Sequence, residues 1–476
     1  MPCIILGHGV CRHPPQELSA QPPYDTASTT RRAQVRIRTL FQALLAMPRA
    51  GASTGMRMAY GTFWSVVGGL AARGFTLLSS MVVARSIGRD EFGSLGIVYS
   101  TIGLIQLLAG FGLGLTATRG VAASRCNNQR HTGRVISVTY LLSALVATVI
   151  AACAWFLTPL TASRLMHQPE LIFPLRLSVL MIIPGAIRGV QDGALIGFEA
   201  FRTHAILNTS TAVVTGLATM AGGYALGLNG VIGGMFLGCM LGTGIGHAAL
   251  GGEMSRQNVQ WQWTGLHKQQ AMIANYSIPD LLRNLIVLAA TWGANIILVR
   301  QANGLREMAI LSAANQWYIV TLFLPAQVGQ SALPVLTERL GKPDGDCAVV
   351  LRALLWMNLI VGLPTAILLS ALCPWLLSGY GKGFSSGWAA FSLLQGAALL
   401  QGLQSPLVKL WEAKGHMWTN LLLNTVWGMA VLSLSWRMAA LGALGMAAAR
   451  VIAFAVFGVG LLLAERHMRS WRQAHA

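Results

Sequence analysis

The chain has 476 residues, of which 54% are hydrophobic and only 10% are charged. A soluble protein of this length could not bury so much apolar surface, so the composition excludes a soluble enzyme and predicts a membrane protein. The formal net charge of +19 comes mostly from short loops between apolar runs, which indicates membrane topology rather than a nucleic-acid partner. The seven cysteines form no CxxC pair and there is no P-loop, so we expect neither a metal site nor a cofactor.

Residues 1–58 differ from the rest because they are rich in Pro, Ser, Thr and Arg and contain no sustained apolar run. We predict a disordered, basic cytoplasmic tail here. Residues 31–48 could form a basic amphipathic helix on the inner leaflet. An alternative is translation from Met56 or Met58, in which case the tail is not made.

From residue 60 onward, about twelve stretches are long and apolar enough to span a bilayer. They divide into a six-span lobe over 59–252 and a six-span lobe over 277–464, joined by a cytoplasmic linker at 253–276 and followed by a basic cytoplasmic tail at 465–476. We predict an all-α polytopic membrane protein whose lobes are related by pseudo-twofold symmetry along the membrane normal. The predicted spans are 60–84, 92–116, 135–158, 171–194, 204–227, 229–250, 277–300, 308–333, 350–375, 387–405, 417–436 and 440–464.

The distribution of basic residues predicts the orientation. The predicted loop at 117–134 carries Arg119, Arg125, Arg130 and Arg134. The positive-inside rule places this loop in the cytoplasm, and both termini with it.

One predicted span carries a helix-packing signal. Glycine recurs at every fourth position of the sixth span, which puts a row of glycines on one helix face and lets another helix approach closely. The row consists of Gly230, Gly234, Gly238, Gly242 and Gly246.

A faint internal duplication supports the two lobes. The octet at 88–95 is echoed at 304–311, and the segment 189–200 is echoed at 402–413. The offsets, roughly 216 and 213 residues, are almost equal and indicate one duplicated unit.

We interpret the octet as a helical corner at the periplasmic face of each lobe. Gly88 and Gly304 would end their helices, while Arg85 and Arg300 would bond the last carbonyls. The carboxylates of Asp90, Glu91 and Glu307 would then stabilise the start of the following helix. The alternative is an outer gate at which the two lobes touch.

The run Val83-Ala84-Arg85-Ser86-Ile87-Gly88-Arg89-Asp90-Glu91-Phe92-Gly93 resembles a motif of the oligosaccharide flippases of polysaccharide biosynthesis. These proteins belong to the multidrug, oligosaccharidyl-lipid and polysaccharide exporter superfamily. Ser277-Ile278-Pro279 and Leu333-Pro334-Val335-Leu336 also fit, and the resemblance covers about 60–464. Ile87 and Arg89 stand where the family commonly has Leu and Pro.

The resemblance implies a cargo and a location. The cargo would be an oligosaccharide linked through pyrophosphate to a polyprenol, moved from the cytoplasmic to the periplasmic face of the bacterial inner membrane. Surface polysaccharides such as the lipopolysaccharide O-antigen would be built from it. The two lobes would form a V that alternates its opening, and polysaccharide polymerase or assembly proteins are possible partners.

Charges inside a bilayer are costly and usually face a cavity or a partner, so arginines within spans are candidate head-group ligands. Arg73 lies about 13 residues into the first span, roughly 20 Å deep at 1.5 Å per residue. Its guanidinium would offer a pyrophosphate a permanent charge and a bidentate fork. Its counterpart at the octet offset is Ala289, so this charge belongs to one lobe only. Arg176 and Arg450 are further candidates.

Each arginine also has a structural interpretation. Arg73 and Arg450 could pair with a carboxylate or with helix-end carbonyls. Arg176 lies about six residues into its span and could snorkel to the membrane surface.

Two charged pairs lie in the first turns or last turns of spans. Asp280 and Arg283 are spaced i, i+3, and Arg188 and Asp192 are spaced i, i+4, so each pair shares a helix face. Each pair could be a local ion pair, supported at Asp280 by the positive end of its helix. The alternative is an inner gate that breaks on opening.

Amide side chains within the spans could line a sugar path, because sugar hydroxyls bind amides and aromatic surfaces. Hydrogen bonding between helices explains each of them equally well. The candidates are Gln106, Asn295, Asn315 and Gln316, with Gln395, Asn424, Trp292 and Trp317 as further members.

Two other transporters and one enzyme class are alternatives. A multidrug extruder of the same fold usually depends on intramembrane carboxylates, which are nearly absent here. A lipid II flippase typically has two additional helices. An O-antigen ligase or polymerase needs a sizeable periplasmic segment, whereas the longest predicted external loop has about a dozen residues.

Overall fold

The structure is a computed structural model. It describes the backbone of residues 54–110, 112–125, 127–263, 270–340, 347–414 and 416–475. Side chains are described for the same residues, with the exception of 54–59, 270–281, 324, 328–340, 347, 348, 413, 417 and 465–475. Residues 61–476 form one compact unit, and the contacts reported below lie within it.

All the regular secondary structure of the described residues is helical. Short π and 3-10 segments at Thr161–Leu165, Pro169–Leu171, Ser385–Gly387 and Ala439–Leu441 join some of the α-helices. The α-helices are α1 (Thr54–Gly110), α2 (Leu113–Ser124), α3 (Gln129–Leu160), α4 (Ile172–Val179), α5 (Ile182–Gly197), α6 (Phe201–Arg256), α7 (Gln270–Val299), α8 (Gly304–Leu340), α9 (Cys347–Ser378), α10 (Trp388–Ala413), α11 (Met417–Met438) and α12 (Gly442–His475).

Following the division predicted from the sequence, we refer to α1–α6 as the N-terminal lobe and to α7–α12 as the C-terminal lobe. Helix α1 contains the first predicted span and most of the second, because Gly88 (φ +82°) turns the chain within it, and the second span ends in α2. Helix α6 contains the fifth and sixth spans, with its turn at Leu226 and Gly227. The fourth predicted span, which contains Pro174 and Pro184, is divided into α4 and α5.

By length and hydropathy, seven helical stretches of the described residues could cross a membrane, and three of them are 47 or more residues long. The all-helical class and the two-lobe architecture are therefore confirmed, while the count of twelve crossings stays a prediction.

Several helices are longer than predicted. Helix α2 extends to Ser124, so the first part of the predicted loop at 117–134 is helical. Helix α6 ends at Arg256 and α7 begins at Gln270, which shortens the predicted linker. Helix α12 continues to His475 and takes in the predicted C-terminal tail. Hydropathy marks only the apolar part of a helix, so polar turns at its ends escape such a prediction. The predicted N-terminal tail lies outside the described residues up to residue 53.

Large apolar side chains cover the outside of the unit, as a lipid solvent requires. Phe156 is 80% exposed and Tyr224 is 72% exposed. Tryptophans near helix ends, such as Trp375, Trp418 and Trp436, are exposed as well, which is typical of membrane interfaces. The buried core, by contrast, is continuous between the lobes and includes Ile97, Ile182, Leu298 and Phe391.

The glycine row on α6 packs as its spacing predicts. All five glycines are buried against the first arm of the same helix or against α5. A Cβ atom on Gly234 would lie 2.3 Å from the Ala218 carbonyl oxygen, and one on Gly238 would lie 2.4 Å from Thr215 Oγ1. The row therefore sets how closely the two arms of α6 approach.

We expect Gly234→Val to lower the amount of protein in the membrane severalfold, because overpacking a close contact costs about 1–3 kcal/mol. Immunoblotting of membranes measures the effect. Gly244→Ala is the matched control, because nothing lies within 4 Å of a Cβ atom at that position of the same arm. Equal levels of the two variants would contradict the prediction.

The duplication is visible in side-chain contacts as well as in sequence. Gln191 Nε2 donates to the Thr243 carbonyl oxygen at 3.1 Å, and Gln404 Nε2 donates to the Phe454 carbonyl oxygen at 2.7 Å. The second echoed segment thus places one amide between equivalent helices of each lobe.

Candidate functional site

The lobes meet along a surface that we call the seam, formed by α1 on one side and by α7, α8 and the α9–α10 loop on the other. Ser80 Oγ donates to Gln316 Oε1 at 2.6 Å. Trp292 Nε1 donates to Thr101 Oγ1 at 3.0 Å. These two bonds bring one predicted amide and one predicted aromatic to the contact between the lobes.

One end of the seam is built from the two octets, and we call this side of the protein the octet face. The Arg306 guanidinium bonds both carboxylate oxygens of Asp90, with Nε to Oδ1 at 2.9 Å. This bond raises the pKa of Arg306 above its ordinary value, so the pair stays charged. Arg89 Nη2 donates to one carboxylate oxygen of Glu307, Oε1, at 3.4 Å. The octets therefore touch each other across the lobes.

Arg85 and Arg300 also reach across the seam, in opposite directions. Arg85 Nη2 donates to the Ser378 carbonyl oxygen at the end of α9, at 3.2 Å. Arg300 Nη2 lies 3.0 Å from Nε2 of His167 in the N-terminal lobe. We predicted that each arginine would bond the last carbonyls of its own helix. Both side chains instead extend toward the other lobe.

Two of the three acidic residues of the octets, Glu91 and Glu307, also accept hydrogen bonds from the backbone of other helices. Glu91 Oε2 accepts a hydrogen bond from the Leu228 N–H at 2.8 Å, beside the turn in α6. Glu307 Oε2 accepts one from the Ala443 N–H at 2.9 Å, at the start of α12. Glu307 lies in the first turn of α8, as the corner interpretation expects, and the two hydrogen bonds to other helices are contacts that it does not predict.

The second corner is also shifted by one residue. Asn303 (φ +60°), rather than Gly304, has the left-handed backbone conformation that Gly88 has in the first corner. Asparagine tolerates this conformation better than other residues with a side chain, so a glycine-based alignment misses it.

Arg73 lies at the seam, deeper than the octets. Its Cζ atom lies 4.6 Å from the centre of the Phe323 ring of α8, in the opposite lobe. Within the described residues, no carboxylate oxygen lies within 4.0 Å of its guanidinium nitrogens. The structure therefore places the Arg73 cation against an aromatic ring of the opposite lobe.

The other two arginines of the predicted head-group set lie inside single lobes. Arg450 Nη1 donates to Asn315 Oδ1 at 2.8 Å, and its Cζ atom lies 5.5 Å from the centre of the Tyr318 ring. Arg176 stacks on Trp155 at 5.4 Å. The structure thus separates the three arginines that the sequence grouped, and only Arg73 contacts both lobes.

The predicted pair of Arg188 and Asp192 is present, with Nε and Oδ1 3.0 Å apart. Arg188 also donates to Asn208 Oδ1 at 2.8 Å and to Thr211 Oγ1 at 3.1 Å, both on α6. His204 Nε2 lies 3.4 Å from the Asp192 carboxylate. This cluster joins α5 to α6 within the N-terminal lobe and does not cross the seam.

The predicted pair of Asp280 and Arg283 cannot be compared directly, because the Asp280 side chain lies outside the described residues. Arg283 Nη1 lies 2.5 Å from Glu412 Oε1 on α10. Lys409 Nζ lies 2.8 Å from the second oxygen of the same carboxylate. Glu412 belongs to the echoed segment 402–413, but the sequence did not predict that it pairs with Arg283.

The remaining amides are distributed between the lobes. Gln106 packs closely against Gly185 of α5. The contact leaves no room for a side chain at Gly185, where a Cβ atom would lie 1.9 Å from Gln106 Nε2. Asn295 is 6% exposed. Gln395 accepts a hydrogen bond from Thr321 at 2.5 Å, and Asn424 donates to the Asn420 carbonyl at 2.8 Å. Among the amides that the structure describes, Gln316 is the one with a hydrogen bond across the seam, so they do not form one continuous path. Among the described residues, no three His, Cys, Asp or Glu side chains are placed to hold a metal ion.

Comparisons with known proteins agree with this architecture. A model of the family described as polysaccharide biosynthesis protein matches residues 58–339, more than half of the chain. The EPS I polysaccharide export inner membrane protein EpsE of Ralstonia nicotianae is 24% identical over 379 residues, covering 78% of this chain and 85% of that protein.

Two solved structures show the fold. An inward-facing multidrug resistance MATE family transporter of the MOP superfamily aligns with a TM-score of 0.68 at 13% identity, covering 85% of this chain and 96% of that one. The lipid II flippase MurJ, in an inward closed conformation, aligns with a TM-score of 0.65 at 13% identity, covering 84% and 88%. The resemblance predicted from the sequence is therefore confirmed: this chain belongs to the polysaccharide biosynthesis protein family and has the two-lobe fold of the MOP superfamily.

Proposed function

We propose that the protein moves a polyprenyl-pyrophosphate-linked oligosaccharide from the cytoplasmic to the periplasmic face of the inner membrane. The observation that carries the proposal is Arg73, a cation at the seam whose described neighbour is an aromatic ring of the other lobe. The position equivalent to Arg73 in the second copy of the duplication is Ala289, so only the N-terminal lobe carries a cation at this position. An anionic head group on a single lipid tail suits such a lining.

The seam supports alternating access as the mechanism. The contacts at the octet face include an exposed ion pair between Asp90 and Arg306, and beneath it Phe92 packs against the buried rings of Tyr380 and Phe384. The exposed ion pair contributes little net stability, so opening this face would mainly require that the apolar contacts separate. The head group would enter from the cytoplasm while the octet face is closed, bind Arg73, and leave when the octet face opens. Both termini would lie in the cytoplasm.

We expect loss of the protein to accumulate polyprenyl-linked oligosaccharide on the cytoplasmic side of the inner membrane, because synthesis continues while translocation stops. Mass spectrometry of extracted lipids measures the amount. Resistance of the glycan to a glycosidase added to intact spheroplasts measures its side. Unchanged lipid-linked oligosaccharide would contradict the proposal, and sensitivity to cationic drugs in its place would favour a multidrug extruder of the same fold.

A further inference from the structure

His204 lies in the first turn of α6, beside two hydrogen-bonding groups of opposite kind. Its Nε2 atom is 3.2 Å from Nδ2 of Asn208, one turn further along α6, and 3.4 Å from Oδ1 of Asp192 on α5. An amide nitrogen only donates hydrogen bonds, whereas an ionised carboxylate only accepts them. A single ring nitrogen cannot accept from Asn208 and donate to Asp192 at the same time, so the two contacts are alternatives.

Arg188 of α5 decides which way the Asn208 amide points. The Nη2 atom of Arg188 donates to Asn208 Oδ1 at 2.8 Å. A guanidinium has only donors, so the amide oxygen faces Arg188 and the amide nitrogen faces His204. In this arrangement His204 Nε2 accepts the bond from Asn208, and the proton of the neutral ring is therefore on Nδ1.

Protonation of His204 exchanges one partner for the other. The neutral ring accepts from Asn208, and this bond stays within α6. The doubly protonated ring carries an N–H at Nε2 as well, which donates to Asp192 and joins α6 to α5. Imidazole is the side chain that normally changes its charge between about pH 5 and 8, and hydrogen bonds between charged groups are roughly twice as strong as neutral ones. Acidification therefore ties the start of α6 to α5.

The charges that face His204 act in both directions. From α5, the Asp192 carboxylate favours the added proton and the Arg188 guanidinium opposes it. Helix α1 packs on the neighbouring face of α6, where Gly68 meets Ala205, and it has no charged residue between 60 and 72. The other charged or titratable groups of α4, of α6 and of the turn before α6 contact partners elsewhere in the described part of the chain: Arg176 on Trp155, Glu199 on Arg125, Arg202 on Trp64, His247 on Tyr140, and Glu253 on Arg256. His204 is 16% exposed and Asp192 is 29% exposed, so neither group is sealed inside the lobe.

The first arm of α6 connects His204 with the octet face. Along its length this arm packs on α1, where Thr209 Oγ1 donates to the Gly68 carbonyl oxygen at 3.4 Å. Just beyond the turn that ends the arm, the Leu228 N–H donates to the carboxylate of Glu91 in the first octet, at 2.8 Å. A helix is a rigid element, so a change in how α6 is held at His204 is carried along it to Glu91.

We propose that His204 is a proton-binding site whose occupation regulates the opening of the octet face. The ligand is a proton, Asp192 receives the new N–H, and Asn208 is released. The inference rests on the proposed function, because it takes the octet face to open and close in the transport cycle. It adds a regulatory site inside the N-terminal lobe, away from the seam that holds the pyrophosphate.

NMR of the purified full-length protein with isotope-labelled histidine tests the proton site, and the His204 signal is identified by its loss in His204→Gln. We expect the neutral ring of the wild-type protein to carry its proton on Nδ1. Asp192→Asn should lower the pH at which His204 titrates by about one unit, because the protonated ring loses its anionic partner. Asn208→Leu should raise that pH, because the neutral ring loses its donor. Glu253→Gln is the matched control, since Glu253 pairs with Arg256 at the other end of α6.

Spin labels at the exposed Glu170 and Lys382 test the link to the octet face. His167 is replaced by glutamine in all samples, because it contacts Arg300 at this face and could titrate as well. We expect the ratio of short to long distances to change between about pH 5 and 8, with the midpoint at which His204 titrates. In His204→Gln the ratio should not change with pH.

The inference is overturned if the neutral ring carries its proton on Nε2, if Asp192→Asn and Asn208→Leu do not move the titration in opposite directions, or if the distances respond to pH without His204. The first of these is measured on the wild-type protein, and thermal unfolding shows whether each variant is folded. All three are measured without cargo. Any of them, together with accumulation of lipid-linked oligosaccharide in the null strain, would reject the His204 site and leave the flippase. The expected titration without such accumulation would reject the flippase and leave the proton site.

Discussion

Replacing Gly93 by alanine is expected to abolish surface polysaccharide while the protein remains at its normal level in the membrane. Gly93 lies at the octet face, where α1 meets the start of α8. A Cβ atom at Gly93 would lie 1.8 Å from the Leu305 carbonyl oxygen and 2.7 Å from its carbon. Because these are backbone atoms of a helix, no side-chain rotation can relieve the overlap, and the two lobes must separate at this point.

The local effect of the same substitution has the opposite sign. Gly93 lies within a helix, where alanine is favoured over glycine by roughly 0.5–1 kcal/mol. The N-terminal lobe should therefore fold at least as well with alanine. Loss of export would then report lost closure of the octet face rather than lost folding.

Two measurements check this prediction. Surface polysaccharide is quantified in a null strain that carries each variant, with Gly103→Ala as the matched control, since nothing lies within 4 Å of a Cβ atom there on the same arm. Spin labels at the exposed Glu170 and Lys382, in a protein whose native cysteines are replaced by serine, report the distance across the octet face. Normal export by Gly93→Ala, or an unchanged distance distribution, would contradict it.

The sequence predicts the features that depend on local spacing. The glycine row of α6, the pair of Arg188 and Asp192, and the turn at Gly88 all follow from intervals of a few residues, and the structure has each of them. Such features need only the geometry of one helix.

Contacts between distant segments could not be predicted in the same way. Arg85 and Arg300 were assigned to their own helix ends, but each reaches the opposite lobe. Glu412 is far from Arg283 in sequence, and only the fold brings the two side chains together. The duplication indicates that two similar units exist. How the two units face each other depends on tertiary packing, which the spacing of residues in the sequence does not reveal.

The different surroundings of Arg73, Arg176 and Arg450 could not be predicted for a related reason. Depth in a predicted span says that a charge needs a partner, but it does not say on which side of the helix the side chain lies. Arg450 and Arg176 find amide and aromatic partners inside their own lobes, whereas Arg73 faces the other lobe.

Arg73→Ala is expected to lower surface polysaccharide at least about tenfold without lowering the amount of protein in the membrane. A charge-assisted hydrogen bond contributes about 1.5–3 kcal/mol, and about 1.4 kcal/mol corresponds to a factor of ten. Arg73→Lys should retain part of the activity, because it keeps the charge and loses the bidentate fork. Arg202→Ala is the control, since Arg202 stacks on Trp64 at 5.5 Å within the N-terminal lobe alone.

Arg73→Met separates head-group binding from packing on Phe323. Methionine keeps a long side chain against the aromatic ring, so a purely structural arginine could be replaced by it with export preserved. If Arg73 binds the pyrophosphate, Arg73→Met should fail as completely as Arg73→Ala, and both should reach the membrane at the normal level in immunoblots. Export that survives in Arg73→Met, or export that falls only in step with protein level, would assign Arg73 to the seam's packing. If pyrophosphate binds at this position, export should be highest with Arg73, lower with Arg73→Lys, and lowest, to the same extent, with Arg73→Met and Arg73→Ala.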